Sequence, residues 1–190
     1  MNLPNKLTMF RIILIPVFVV LYIIRDYIGN SVFYLLGVVF VIASLTDYFD
    51  GKIARSRGLV TTFGKFIDPL ADKLLVMAAL LVLSDFFTFG SGYWMPFWVP
   101  LVILSRELIV TSIRLVAVGE GKIIAASKMG KYKTAVTMLT ITYYLFLTGF
   151  AGTAVFDIIA IILTSASIIL TIVSGVDYFN KNKKIILESI

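Results

Sequence analysis

The chain contains no cysteine and no histidine. Without cysteine there can be neither a disulfide nor a thiolate metal site, and the composition carries no information about redox compartment. The lack of histidine restricts more. General acid–base work, metal ligation and nucleophile activation fall to carboxylates, Lys, Arg, Tyr or hydroxyl groups. Charge is scarce as well, with 11 Asp+Glu and 17 Lys+Arg in 190 residues. There is no low-complexity tract, long linker or obvious internal repeat. The first apolar segment, FRIILIPVFVVLYII, is not followed by a small-residue cleavage site of the A-x-A type, so it reads as a retained span rather than a signal peptide.

What is present is mostly hydrocarbon: 59% of residues are hydrophobic and the mean hydropathy is +0.99, well outside the range of ordinary soluble domains. Apolar runs near 10–25, 31–54, 67–84, 95–118, 134–150 and 154–176 are each suited to a hydrocarbon core of ~30 Å. They predict an all-α integral membrane protein with six transmembrane helices, a short interfacial N-terminal segment (MNLPNKLT) and a single domain over 1–190. With the N-terminus in the cytoplasm, every Lys and Arg except Arg25 lies inside or near that face, the pattern of the positive-inside rule. The reading is therefore a multi-pass protein of the cell membrane with both termini cytoplasmic. The net charge of +6 is explained by this topology and by anionic membrane lipids, with no nucleic-acid partner.

The connections differ by side. RDYIGN, SDFFTFGSGYW and GFAGT, on the outer face, carry turn formers and aromatics and look architectural. KIARSRGLVTTFGKF and GEGKIIAASKMGKYK, on the inner face, are basic and glycine-bearing loops. Asn5 and Thr8 read as helix-capping residues, and the tail KNKKIILESI as an amphipathic segment at the lipid surface.

Against this background the stretch DYFDGKIARSRGLVTTFGKFIDPLADK carries four of the eleven acidic residues. A charge within a span costs at least ~2.5 to 3.5 kcal/mol by insertion scales. Asp47 and Asp50 are spaced i, i+3 and Asp68 and Asp72 i, i+4, so each pair shares a helix face. On antiparallel neighbouring helices the four carboxylates converge near the cytoplasmic headgroups. Their mutual repulsion calls for neutralisation, and an all-oxygen donor set favours a hard cation, Mg²⁺, Mn²⁺ or Ca²⁺. Mg²⁺ keeps positions open for substrate phosphates, which points to a phosphate-bearing substrate. The alternative is pairing of these aspartates with Lys52, Arg55, Arg57, Lys65 and Lys73.

Gly51 and Ala54 share the stripe of Asp47 and Asp50, leaving room for a ligand or for another helix. Gly64 is expected in the loop, where it lets the chain reverse. Asp68 precedes Pro69, so it is either an N-cap with Pro69 at the first helical position or stands at a kink.

Written as D-x2-D-G-x2-A-R-x8-G-x3-D-x3-D, with Asp47, Asp50, Gly51, Ala54, Arg55, Gly64, Asp68 and Asp72 at its eight fixed positions, the stretch resembles the signature of the CDP-alcohol phosphotransferase family. NLPNKLTMFRI, FGKFIDPLADKLLV, SRELIVTSIRLVAV and AASKMGKYKT are similar to its bacterial branch that uses glycerol 3-phosphate. The resemblance implies a six-helix, usually dimeric enzyme that transfers a phosphatidyl group from CDP-diacylglycerol to an alcohol and releases CMP. It also implies that Asp47, Asp50, Asp68 and Asp72 bind two metal ions, Mg²⁺ or Mn²⁺. Asp72 would double as the base, and Gly51, Ala54, Arg55 and Gly64 would form the CDP-lipid pocket.

An acceptor phosphate needs cations. Arg106 and Arg114, at i and i+8, lie about 12 Å apart along one helix, and Lys131 and Lys133 open the next one. Together they form the candidate acceptor-phosphate site. The competing reading is snorkelling or a pairing of Arg106 with Glu107. Other acceptors (inositol phosphate, serine, phosphatidylglycerol) and a divalent-cation transporter are the alternative functions. A transporter should carry its polar ligands near the bilayer midplane, whereas this acidic cluster is confined to one face.

Overall fold

The computed structural model describes the backbone of residues 3–57, 62–89, 95–119, 124 and 127–188, and the side chains of 5–47, 67, 70–87, 95–115, 117–119, 124 and 127–183. Among the described residues every regular element is helical. In chain order these are α1 (Leu3–Ile23), a single turn α2 (Arg25–Ile28), α3 (Val32–Arg57), α4 (Thr62–Phe89), α5 (Trp98–Gly119), α6 (Lys128–Leu147), a 3-10 turn (Thr148–Phe150) and α7 (Ala154–Glu188). Each of the six apolar runs falls largely on one helix of 20 residues or more. Asn5–Ile23 and Ala154–Lys183 are long and apolar enough to cross a membrane, and Val32–Asp47 is a shorter apolar stretch.

The helices run further than the apolar patterning predicts. The expected inner loop KIARSRGLVTTFGKF is helical at both ends, because α3 continues to Arg57 and α4 opens at Thr62. Gly64 is therefore a helical residue and not the point of chain reversal. Pro69 sits in the second turn of α4, which removes the N-cap reading of Asp68. Asn5 and Thr8 lie within α1 and are buried, so they are interior polar residues and not caps. At the other end, α7 does not stop at 176: no proline interrupts the stretch after Gly175, and the i, i+4 pair Asp177–Lys181, at 2.8 Å, adds local support.

The chain divides into two compact units, Met1–Leu83 with Ile141–Ala151, and Ser84–Thr140 with Gly152–Ile190. In unit 1, α1 packs on α3. The buried positions of α1 are Asn5, Thr8, Arg11, Phe18 and Tyr22, and those of α3 include Phe33, Leu36, Phe40 and Ala43. Both sets follow the 3–4 spacing of one helix face. Tyr22 meets Phe33 edge to face at 6.4 Å. Gly37 is where the ring of Phe146 closes on α3: a Cβ there would lie 2.8 Å from ring carbons.

In unit 2, α7 carries a buried stripe of Phe156, Ala160, Thr164, Ser167, Thr171, Ser174 and Tyr178. Small and hydroxyl-bearing residues let helix backbones approach. Thr137 of α6 meets Ser167 at 2.8 Å, and Thr140 donates to the Leu163 carbonyl at 3.3 Å. Most of these hydroxyls also bond back into their own helix: Thr137 to the Lys133 carbonyl, Thr140 to Val136, Thr171 to Ser167 and Ser174 to Thr171. Phe87 stacks on Phe156 at 6.1 Å.

Candidate active site

Unit 1 holds the aspartates. Arg11, on the buried face of α1, is wholly enclosed, and its Nη1 lies 2.7 Å from Oδ1 of Asp47 on α3. The carboxylate side chain of Asp47 remains 41% exposed. The register of the two packed helices places the pair. Asn5, Thr8 and Arg11 recur every third residue at the start of α1, and Asp47 follows Phe40 and Ala43 on the buried face of α3. An enclosed guanidinium requires an anion, and Asp47 supplies one while keeping part of its surface open. Asp72 lies on α4 beside the buried Ala71 and is partly exposed.

Asp50, Gly51, Ala54, Arg55, Gly64 and Asp68 have helical backbone, and their side chains lie outside the described residues. Among the described residues, which include two of the four aspartates, no three acidic side chains group together.

Unit 2 holds the cations. Glu107 Oε1 accepts from Arg106 Nη1 at 2.7 Å and from Lys133 Nζ at 2.7 Å. The Lys133 side chain is 3% exposed and that of Arg106 13%. Such charge-assisted hydrogen bonds are short and about twice as strong as neutral ones. Arg106 and Lys133 are thus brought together by α5 and α6. Arg114, two turns further along α5, joins a different partner: its Nε donates to the Tyr178 hydroxyl at 3.3 Å, and its guanidinium lies 5.5 Å from the centre of that ring. Lys131 is exposed in the first turns of α6.

The sequence reading missed three participants. Arg11 was counted only as an inner-face charge, Tyr178 was not singled out, and Glu107 entered only as a competitor for Arg106. The signals were available in part. Arg11 continues the polar spacing of Asn5 and Thr8, and Tyr178 continues the spacing of Thr171 and Ser174. The partnership of Glu107 with Lys133, 26 residues on, has no local signature.

The donors in unit 1 are carboxylates with an enclosed counter-ion, and those in unit 2 are cations gathered on a carboxylate. The family model for CDP-alcohol phosphatidyltransferase matches residues 1–176, and the chain belongs to that family. It is 42% identical to the CDP-diacylglycerol–glycerol-3-phosphate 3-phosphatidyltransferase of Bacillus subtilis, with 95% of each chain covered. The enzymes of the same name from Haemophilus influenzae and Rickettsia felis are 36% and 37% identical. Those matches cover 100% and 96% of this chain, and 97% and 96% of the relatives.

Proposed function

We propose that this protein transfers a phosphatidyl group from CDP-diacylglycerol to glycerol 3-phosphate, giving phosphatidylglycerol phosphate and CMP. The observation that carries the proposal is the eight-position aspartate motif from Asp47 to Asp72 in a chain of this family, matched almost end to end by enzymes of that name. The hydroxyl oxygen of the acceptor attacks the lipid-bearing phosphorus, the bond from that phosphorus to CMP breaks, and Asp72 takes the hydroxyl proton.

Asp47, Asp50, Asp68 and Asp72 are suited to hold divalent metal, Mg²⁺ or Mn²⁺, in a two-ion centre. The donor chemistry fits: all ligands are oxygens, and Asp47 combines an enclosed counter-ion with a partly exposed carboxylate. Metal held there would supply positive charge to neutralise the diphosphate and stabilise the departing CMP. Gly51, Ala54, Arg55 and Gly64 line the CDP-lipid pocket, with Arg55 meeting phosphate.

Arg106, Arg114, Lys131 and Lys133 receive the acceptor's phosphate. Pairing with Glu107 does not use up Arg106, because it engages one donor of a guanidinium that has five. An uncharged acceptor such as serine has no use for these cations, which favours the phosphorylated alcohol.

The whole chain, 1–190, is taken as one membrane domain with six spans, both termini and the reacting groups on the cytoplasmic side, working as a homodimer. The six long helices and the one-sided distribution of Lys and Arg support this topology.

The test is an assay of the purified protein with CDP-diacylglycerol and Mg²⁺ or Mn²⁺, offered glycerol 3-phosphate, inositol phosphate, serine and glycerol separately. CMP release is expected with glycerol 3-phosphate alone, and equal turnover with serine would overturn the choice of acceptor.

A further inference from the structure

We propose that Glu107 is the positioning residue of the acceptor site: it holds Arg106 and Lys133 on one carboxylate oxygen and so sets where the other donors of the Arg106 fork meet the acceptor's phosphate. This rests on the reading of Arg106 and Lys133 given above.

The geometry starts from one atom. Oε1 of Glu107 accepts from both cations at 2.7 Å, one from its own helix α5 and one from α6. The carboxylate commits only Nη1 of Arg106. Nε of the same guanidinium is buried and has no hydrogen-bond partner among the described residues. Nη2 points toward the start of α6, where a Cβ on Gly130 would lie 3.7 Å from it. The stem of Arg106 is confined too, since its Cγ passes 3.2 Å from where a Cβ on Gly175 of α7 would be. A planar fork held at its stem and at one tip keeps its other donors in a fixed direction.

Charge alone argues the opposite way. Removing the carboxylate would make the cluster more positive by one charge and strengthen its pull on a phosphate. Position decides the matter. Arg106 and Lys133 repel each other, and Lys133 is almost fully buried; the anion between them keeps both heads within reach of one ligand. Without it the heads separate, and the directed contact is lost although the net charge has risen. Glu107 therefore acts through other groups and touches no reacting atom.

The experiment measures KM and kcat for both substrates in Glu107→Gln, Arg106→Gln, Lys133→Gln and the double variant Glu107→Gln/Lys133→Gln. In Glu107→Gln the KM for glycerol 3-phosphate is expected to rise about tenfold or more while the KM for CDP-diacylglycerol stays within about twofold. The double variant should fall short of the product of the two single effects, because both disrupt one cluster.

An unchanged acceptor KM in folded Glu107→Gln overturns the proposal. A lowered one overturns it as well, since it would make Glu107 a competitor of the phosphate. The two readings separate cleanly. If Arg106→Gln and Lys133→Gln raise the acceptor KM and Glu107→Gln does not, only the positioning role falls; if neither cation variant changes it, the acceptor-phosphate reading falls first. Thermal unfolding in detergent checks the fold of each variant. Should Glu107→Gln fail that check, Glu107→Asp retains the charge but withdraws it by one methylene. A raised acceptor KM in that variant supports the proposal, and a wild-type value overturns it.

Discussion

In unit 1 one guanidinium, Arg11, is enclosed behind a carboxylate that stays partly exposed; in unit 2 one carboxylate, Glu107, is set between two largely buried cations. With the proposed grouping of Asp47 with Asp50, Asp68 and Asp72, the first cluster carries its charge surplus as anions and suits a cation. The second carries its surplus as cations and suits an anion. In each, the group of minority sign is bound to the majority at 2.7 Å.

The comparison breaks most visibly at its anionic side. Asp68→Asn is expected to reduce CMP release by more than about 100-fold, exceeding what loss of a group that only supports a metal ligand usually costs. Full activity in this variant would remove the cation-binding role from the aspartates. Arg11→Met comes next, with a loss of turnover of about 10- to 100-fold. Its cost in stability is about 1–3 kcal/mol, less than for a wholly buried pair because Asp47 is partly exposed. Thermal unfolding and turnover are read on the same preparation. A stability loss with normal turnover would make Arg11 a packing partner only, and its parallel with Glu107 would fail.

On the cationic side, Arg114→Ala should raise the KM for glycerol 3-phosphate by roughly tenfold and leave that for CDP-diacylglycerol nearly unchanged. Tyr178→Phe is the finest test. It removes the 3.3 Å hydrogen bond to Arg114 and keeps the ring beneath the guanidinium, so a change of only about two- to fivefold in the same KM is expected. An equal effect from both variants would mean that Arg114 depends on the hydroxyl for its placement.

Hydropathy alone located the helices, because an apolar run of that length has few other ways to satisfy its backbone. It located their ends poorly. Lys52–Arg57 and Thr62–Phe66 look like a loop by charge, yet charge does not stop a helix, and the carboxylate stripe of α3 is carried on a helix that reaches Arg57. Asp47, Arg106 and Lys133, the members of these pairs that stand out by residue type and place on a helix, were legible too. Their minority partners were not. Arg11 pairs across 36 positions and Lys133 reaches Glu107 across 26, and spacing within one helix cannot report a contact made by two.

The hydroxyl bonds of α6 and α7 bear on how such a chain enters a bilayer. Thr137, Thr140, Thr171 and Ser174 each have an acceptor one turn back in the same helix. A segment of this kind carries its polar satisfaction with it and presents no naked hydroxyl to lipid while it is still alone. The contact of Thr137 with Ser167 is then a bond added on docking, in which Thr137 accepts, whereas the single proton of Thr140 is shared between the Val136 and Leu163 carbonyls.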